Sequence, residues 1–236
     1  MIAKELDLAA DFPPPRTIEG RTTNLPAQPT PLVGRMAELE AVRSLLLEES
    51  TRMVTLTGPG GTGKTRLALQ VAADVVDAFP DGVYGVMLAP ISDPDLVPLE
   101  LARVLGVEES PSLSLTDSLK AALKNRRALI VFDNFEHVGA AAETLASLLG
   151  ACAGLKMLVT SREPLRTQQE RVVRLRGLDV PRPGASLEES REAGAVELFA
   201  RRTSAAVADF RPSPSTWRDI AAICTRLDGL PLAIEM

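Results

Sequence analysis

The sequence predicts an α/β fold in which a parallel sheet is flanked by helices and is followed by part of a small helical subdomain. Three observations predict it. Short apolar, strand-like runs recur between residues 53 and 178, amphipathic helical stretches separate these runs, and the strand pattern stops beyond about Pro181. Continuous apolar strands that alternate with helices are typical of a parallel sheet covered on both faces.

Composition divides the chain into three parts. Residues 1–30 are predicted to be a flexible, proline-rich linker, because the stretch from Phe12 to Pro31 is dense in proline and polar residues. Residues 31–180 are predicted to form the α/β domain. Residues 181–236 are predicted to start a helical lid subdomain that is truncated, since Leu230 to Met236 begins an apolar helix that the chain does not finish. A linker at the start also implies an upstream part in a longer parent protein.

The individual elements follow from periodicity. A helix is predicted from Met36 to Ser50, where apolar residues recur at helical spacing. Two further helical patterns, REAGAVELFARRTSAA and PSTWRDIAAICTRLDG, follow the strands, and Gly229 is a predicted C-terminal cap of the second. The five predicted strands are MVTLTG, VYGVMLA, ALIVFD, LKMLVTS and RVVRLRGL.

Composition also excludes some functions. The chain has 236 residues, of which 45% are hydrophobic, so it can bury a substantial core. Its net charge of -5 gives no general attraction to nucleic acid or to anionic membranes. No apolar run approaches the ~20 residues that cross a bilayer, and MIAKELDLAADF lacks the apolar core of a signal peptide, so we expect a cytoplasmic protein. Cys152 and Cys224 show no paired spacing and are interpreted as buried thiols.

The segment GPGGTGKT matches GxxxxGK[ST] between a predicted strand and a predicted helix, which is the context that a phosphate-binding loop requires. Glycines let successive backbone N–H groups turn toward the phosphates, and the helix N-terminus adds positive potential. We expect Lys64 to reach the β- and γ-phosphates and Thr65 to bind Mg²⁺. The alternative is a glycine turn beside a surface lysine. The residues expected to bind nucleotide here are Gly58, Pro59, Gly60, Gly61, Thr62, Gly63, Lys64, Thr65 and Arg66.

A carboxylate for the metal is supplied by the strand in ALIVFDNFEH, which ends in Asp133. Such a strand delivers its terminal acid to the carboxyl edge of a parallel sheet, where ligands bind. Glu136 and His137 follow at the same edge and are both candidates to orient the attacking water; we favour Glu136 because a carboxylate is already basic at pH 7. The alternative for Asp133 is a capping role.

The next strand repeats this arrangement, because LKMLVTSREPLR places Arg162 directly after an apolar run. A guanidinium at this edge can sense whether a γ-phosphate is present, and Arg162 is therefore a candidate catalytic residue with Lys64 and Glu136. The alternative is an arginine that is paired on the surface.

Five segments in order, PLVGR, GPGGTGKT, LIVFDNFEH, LVTSREPLR and LDGLPLAIE, resemble the bacterial STAND signal-transduction P-loop ATPases. These are the NB-ARC-like modules of LuxR-type and AfsR/SARP-type transcriptional regulators and of some adenylate-cyclase fusions. The resemblance spans nearly the whole chain from about Asn24. It implies a P-loop NTPase sheet over residues 31–180.

The resemblance also implies roles for single residues. Val33 and Arg35 would lie beside the adenine, Asp133 would coordinate Mg²⁺, and Pro231 would close over the nucleotide from the lid. On sequence grounds alone Pro231 is a turn-helix proline after Gly229. Relatives with a second acid beside the metal aspartate would hydrolyse ATP more readily; here that neighbour is Asn134.

Two functions of different class remain at this point. In the first, the chain is a regulatory switch that binds ATP or ADP with Mg²⁺ and hydrolyses ATP slowly: ADP holds the core and the helical subdomain closed, and exchange for ATP together with an upstream or downstream signal opens the assembly. Its partners would be other domains of the parent protein, with self-association on activation. In the second, it is a fast ATPase or a P-loop kinase that transfers the γ-phosphate to an acceptor. Two features favour the switch: the GLPL element is present, and an LSGGQ-like signature of transporter ATPases is absent from the sequence.

Overall fold

The computed structural model describes residues 17–18, 21–108 and 112–236. Within these residues, two short antiparallel strands precede a five-stranded parallel sheet. The two short strands are β1 (Thr17–Ile18) and β2 (Arg21–Thr22). The strands of the sheet are β3 (Met53–Thr57), β4 (Val83–Met87), β5 (Leu129–Asp133), β6 (Lys156–Ser161) and β7 (Glu170–Arg174). The predicted fold class is confirmed, and each predicted strand is present.

The sheet has the spatial order β4-β5-β6-β3-β7. Strand β6 therefore separates β3, which leads into the phosphate loop, from β5, which ends in Asp133. Thr57 pairs with Ser161 across β3 and β6, while Phe132 pairs with Val159 across β5 and β6. Because all five strands are parallel, their carboxyl ends meet at one edge, and the side chains that follow them converge there.

Helices cover both faces of the sheet, which explains why the central strands β3, β5 and β6 are buried at nearly every position and are largely apolar. The helices of the sheet domain are α1 (Met36–Leu47), α2 (Lys64–Asp74), α3 (Val97–Leu105), α4 (Leu115–Leu123) and α5 (Ala142–Ala151). In β5, Ile130 and Phe132 pack against α3, α4 and α5, whereas Leu129 and Val131 pack against α1 and α2 on the opposite face.

Four helices follow the sheet and form what we call the lid, and three of them contribute residues to a third apolar cluster. Ile220, Cys224 and Ile234 are buried there together with Val33 and Leu178 from the sheet domain. The lid therefore shares a core with the segment that leads into α1 and with the segment that follows β7. Its helices are α6 (Leu187–Glu192), α7 (Gly194–Ala206), α8 (Pro214–Arg226) and α9 (Pro231–Glu235).

The segment of residues 23–31, which we call the entry segment, contacts the sheet domain. Thr23 is buried and forms an isolated parallel bridge with Val83 at the edge of the sheet. The Asn24 amide donates to the Gly85 carbonyl at 2.9 Å and its oxygen accepts from the Gly85 N–H at 2.6 Å. The segment packs because an asparagine side chain supplies both partners of an otherwise unpaired edge residue. The predicted linker residues 1–16 and 19–20 lie outside the described residues.

The two cysteines are free thiols, and both are buried, as predicted. Burial raises the pKa of Cys224 to about 11, because an apolar environment disfavours the thiolate. Over the part of the chain that the structure describes, no helix is long and apolar enough to cross a bilayer.

Candidate nucleotide-binding site

The phosphate loop connects β3 to α2 at the carboxyl edge of the sheet. Gly61 and Gly63 adopt φ angles of +78° and +91°, which residues with a Cβ rarely adopt. The Thr62 hydroxyl donates to the Pro59 carbonyl at 2.9 Å and closes the turn. Helix α2 begins at Lys64 without a side-chain cap, so its first N–H groups remain available to an anion.

The Lys64 ammonium folds back on the loop, where it donates to the carbonyls of Gly58 and Pro59, both at 2.9 Å. Burial is the main cause that lowers the pKa of Lys64, and the carboxylate of Glu136 offsets part of that shift. The neighbouring Arg162 lowers this pKa further. A buried ammonium in this position would be stabilised by a phosphate group.

Asp133 lies at the end of β5, and its carboxylate is buried. Its Oδ1 accepts two short hydrogen bonds, from the Thr65 hydroxyl at 2.7 Å and from the Thr160 hydroxyl at 2.6 Å. The structure thus brings the two predicted metal ligands, Thr65 and Asp133, into direct contact. Two oxygen ligands from the protein suit Mg²⁺, which takes its remaining ligands from phosphate oxygens and water.

Thr160 is a site residue that the sequence reasoning did not assign. Its hydroxyl also accepts the Asn134 N–H at 3.0 Å, and Asn134 adopts a left-handed conformation with φ 67°. Thr160 therefore fixes both the metal aspartate and the turn that follows it. A polar residue at the end of β6, next to the Asp133 strand, is the signal that could have identified it.

Arg162 and Glu136 form an ion pair at the same edge, with 3.2 Å between Nε and Oε1. The Arg162 side chain is 63% exposed, whereas that of Glu136 is only 13% exposed. The second carboxylate oxygen of Glu136 is buried without a hydrogen-bond partner among the described residues. Both side chains line a cavity in front of the phosphate loop, while His137 is exposed in a neighbouring cleft.

A cavity of about 320 Å³ opens in front of the phosphate loop. Ligand-binding clefts in proteins begin at about this volume. Three other predicted site residues contact residues that line the cavity. The carbonyls of Gly58 and Pro59 accept from Lys64, and the Asp133 carboxylate accepts from Thr65. The predicted residues that line it are Val33, Arg35, Gly60, Gly61, Thr62, Gly63, Lys64, Thr65, Arg66, Glu136, Arg162 and Pro231.

Arg35 reaches the cavity but uses its guanidinium to join two segments of the domain. This side chain is only 5% exposed and donates to the carbonyls of Thr62, at 3.2 Å, and of Arg176. It also pairs with Glu38. Since these contacts use guanidinium donors on protein atoms, Arg35 holds the phosphate loop against the segment that follows β7.

The lid closes one side of the cavity through helix α9. Pro231, Leu232 and Glu235 line the cavity. The Leu232 N–H donates to the Gly61 carbonyl at 3.2 Å, and a Cβ added at Gly61 would lie 2.7 Å from the Leu232 Cβ. The i, i+4 spacing of Pro231 and Glu235 places both on one face of the helix and is the signal by which Glu235 could have been found.

The match to a family model decides the family. Residues 35–171, more than half of the chain, match the model described as the NB-ARC domain. The chain belongs to the NB-ARC family. The phosphate loop between β3 and α2 lies within the matched residues of this NB-ARC protein.

Curated relatives of this NB-ARC protein include larger chains. An uncharacterised protein of Mycobacterium tuberculosis is 39% identical, over 88% of this chain and 50% of its own length. A candidate HTH-type transcriptional regulator of the same organism is 42% identical, over 82% of this chain and 20% of its own length. The regulatory protein AfsR of Streptomyces griseus is 32% identical, over 99% of this chain and 23% of its own length. The NB-ARC chain thus spans half or less of these relatives.

Solved structures share the fold of this NB-ARC chain at low identity. A STAND protein with a tetratricopeptide repeat sensor from Pyrococcus horikoshii has a TM-score of 0.53 at 19% identity, over 89% of this chain and 30% of its own. Cdc6p from Pyrobaculum aerophilum has a TM-score of 0.56 at 17% identity, over 87% of this chain and 60% of its own. At these identities the likeness concerns the fold.

Proposed function

We propose that this NB-ARC chain is the ATP/ADP-binding switch module of a cytoplasmic, multidomain signal-transduction or transcriptional regulator, and that it hydrolyses ATP slowly with Mg²⁺. One observation carries the proposal: the lid residues Pro231, Leu232 and Glu235 line the same cavity as the phosphate loop. A nucleotide in that cavity would contact the sheet domain and the lid at once. Its presence and its γ-phosphate would therefore bias how the two parts pack.

In this proposal the phosphates bind the N–H groups of the loop and of the first turn of α2. The Lys64 ammonium leaves the carbonyls of Gly58 and Pro59 and pairs with the β- and γ-phosphates, which compensates its buried charge. Thr65 and Asp133 hold Mg²⁺, which supplies charge neutralisation to the phosphate oxygens when it is bound. Thr160 keeps the Asp133 carboxylate oriented.

The base would lie against apolar surface at the other end of the cavity. Val33, Leu178 and Leu198 line that surface, and Pro231 adds the lid side. Arg35 acts beside it by fixing the Thr62 carbonyl, and hence the loop, rather than by donating to the base. This division of roles explains why a mostly apolar wall meets a strongly polar one in a single cavity.

The Arg162–Glu136 pair accounts for slow turnover. Arg162 is the γ-phosphate sensor: it would exchange its contact with Glu136 for the phosphate oxygens. Glu136, once released, would accept a proton from the water that attacks the γ-phosphorus, and ADP leaves with inorganic phosphate formed. Because Glu136 must first lose its guanidinium partner and Asn134 supplies no second acid, we propose that the reaction is slow.

The partners and boundaries are part of the same proposal. Residues 1–30, 31–180 and 181–236 are proposed as the linker, the nucleotide-binding domain and part of the lid. The AfsR and HTH-type relatives, which are four to five times longer than the matched region, support a module that acts on other domains of its parent. Self-association on activation is proposed as the output, without direct contact to nucleic acid.

The experiment is nucleotide binding to the purified chain by calorimetry, with Lys64→Ala as the test variant. We expect Mg²⁺-dependent binding of ATP and ADP in the wild type and its loss in Lys64→Ala. Lys120→Ala removes a partly exposed lysine that pairs with Asp117 on α4, and it is the matched control. Unchanged binding in Lys64→Ala would contradict the assignment.

Turnover distinguishes the switch from the alternative enzymes. We expect less than about one ATP hydrolysed per minute, against the ~10 per second of a median enzyme. Faster turnover, or acceleration by a small hydroxyl-bearing acceptor with transfer of ³²P to it, would instead favour a working ATPase or a P-loop kinase.

A further inference from the structure

Arg66 occupies an unusual position, because it joins three parts of the molecule. It follows Thr65 in helix α2 and lines the nucleotide cavity. Its NH2 donates to the carbonyl and to the hydroxyl of Thr30, both at 2.8 Å, and to the Pro31 carbonyl at 3.2 Å. Its NH1 lies 3.8 Å from Oε1 of Glu235 in the lid.

Glu235 is in turn held by the lid itself. Arg202 of α7 donates to the same Oε1 from Nε at 2.9 Å and from NH2 at 2.6 Å. The three side chains are between 28% and 39% exposed, so solvent screens them only in part. One carboxylate oxygen therefore lies between a cation of the lid and a cation of the nucleotide-binding helix.

The entry segment is fixed at its other end by the two hydrogen bonds between Asn24 and Gly85 at the sheet edge. Asn24 is not on the cavity wall. The segment thus runs from an edge strand to Arg66, and Arg66 contacts the lid. Arg66 therefore connects the entry segment to the lid.

We propose that Arg66 is a positioning residue that couples the entry segment to the lid: when residues 23–31 are docked, Arg66 faces Glu235 and the lid stays closed on the nucleotide. Release of the entry segment removes the acceptors Thr30 and Pro31 and frees Arg66 to leave Glu235. The lid then loses one of its contacts with α2, and bound nucleotide dissociates faster. The segment through which an upstream domain would connect is therefore also the element that regulates nucleotide release. The proposal rests on the proposed nucleotide-binding function.

A lysine cannot replace Arg66 in this role. The guanidinium presents NH2 to the entry segment and NH1 to the lid at the same time, whereas a lysine ammonium is a single point charge on a flexible stem. Arg66→Lys keeps a positive charge near the phosphates. Its effect therefore distinguishes loss of the guanidinium contacts to the entry segment and the lid from a simple loss of charge.

The test measures the dissociation rate of a fluorescent ADP analogue from the full chain by stopped flow. Glu235→Gln removes the ion pair, and Asn24→Ala releases the entry segment far from the ligand. We expect each to accelerate dissociation up to about fivefold, the range of a partly exposed ion pair. The two effects should not multiply in the double variant, because both act through Arg66.

Arg66→Lys gives the decisive comparison, because in that background Asn24→Ala should no longer change the dissociation rate. Glu197→Gln, which breaks the 2.7 Å pair with Arg201 on α7, is the matched control and should leave the rate unchanged. An unchanged rate in Asn24→Ala, or multiplicative effects of Asn24→Ala and Glu235→Gln, would overturn the coupling. Failure of the proposed function looks different: the wild type would bind no ADP.

Discussion

The contact between Gly61 and the lid can be tested by substituting Gly61, with the same substitution at the nearby Gly63 as the control. Gly61→Ala and Gly63→Ala both place a Cβ at a positive φ, which costs about 1–2 kcal/mol. They differ in surroundings: the new Cβ at Gly61 would lie 2.7 Å from the Leu232 Cβ, whereas that at Gly63 meets nothing within 4 Å. The difference between the two variants therefore reports the lid contact alone.

The size of that difference follows from the overlap. A separation of 2.7 Å is roughly 1 Å shorter than an ordinary carbon–carbon contact of about 3.5–4.0 Å. Overpacking of this kind costs about 1–3 kcal/mol, which corresponds to a melting temperature about 2–12 °C lower for a chain of this size. We expect Gly61→Ala to melt lower than Gly63→Ala by that amount in nucleotide-free protein.

Hydrogen exchange gives a second measure of the same contact. The Leu232 N–H is bonded to the Gly61 carbonyl, so displacement of the lid by Gly61→Ala should lower the protection of this amide. Gly63→Ala should leave it protected. Equal melting temperatures together with equal protection at Leu232 would refute the lid contact.

Two further variants test the carboxyl edge of the sheet. Thr160→Val removes the 2.6 Å hydrogen bond to Asp133, so we expect urea unfolding to show a loss of about 1.5–3 kcal/mol and Mg²⁺-dependent nucleotide binding to weaken. Thr55→Val is its control, since the buried Thr55 hydroxyl has no partner among the described residues, and that substitution should be neutral or stabilising. Arg162→Ala should erase the discrimination between ATP and ADP while ADP binding is spared; equal loss of both nucleotides would make Arg162 structural.

The sheet was predictable because its determinants are local. Four of the five strands, β3 to β6, are short and largely apolar runs that are buried on both faces, and that burial requires the pattern irrespective of strand order. The edge strand β7 is more polar and only partly buried, and its two adjacent valines were its signal. The phosphate loop was equally predictable, since Gly61, Gly63 and Lys64 lie within one motif whose function depends on spacing along the chain.

Contacts between distant segments were not predictable in the same way. The hydrogen bonds of Arg35 to the Thr62 and Arg176 carbonyls join residues far apart in sequence. Because every residue has a backbone carbonyl, the sequence does not show which of them accepts the bond. The hydrogen bonds between Asn24 and Gly85 were equally unpredictable. A polar, proline-rich segment has the composition of a linker whether or not it packs against an edge strand. The role of Thr160 depended on strand order, which the strand patterns alone do not determine.

The central claim is that bound nucleotide sets the position of the lid. Hydrogen exchange of residues 227–236, measured without nucleotide, with ADP and Mg²⁺, and with a non-hydrolysable ATP analogue and Mg²⁺, tests it most directly. We expect ADP to raise the protection of this segment above that of the ATP-analogue complex, and we expect no nucleotide-dependent change in Lys64→Ala. Equal protection with both nucleotides in the wild type would contradict the switch.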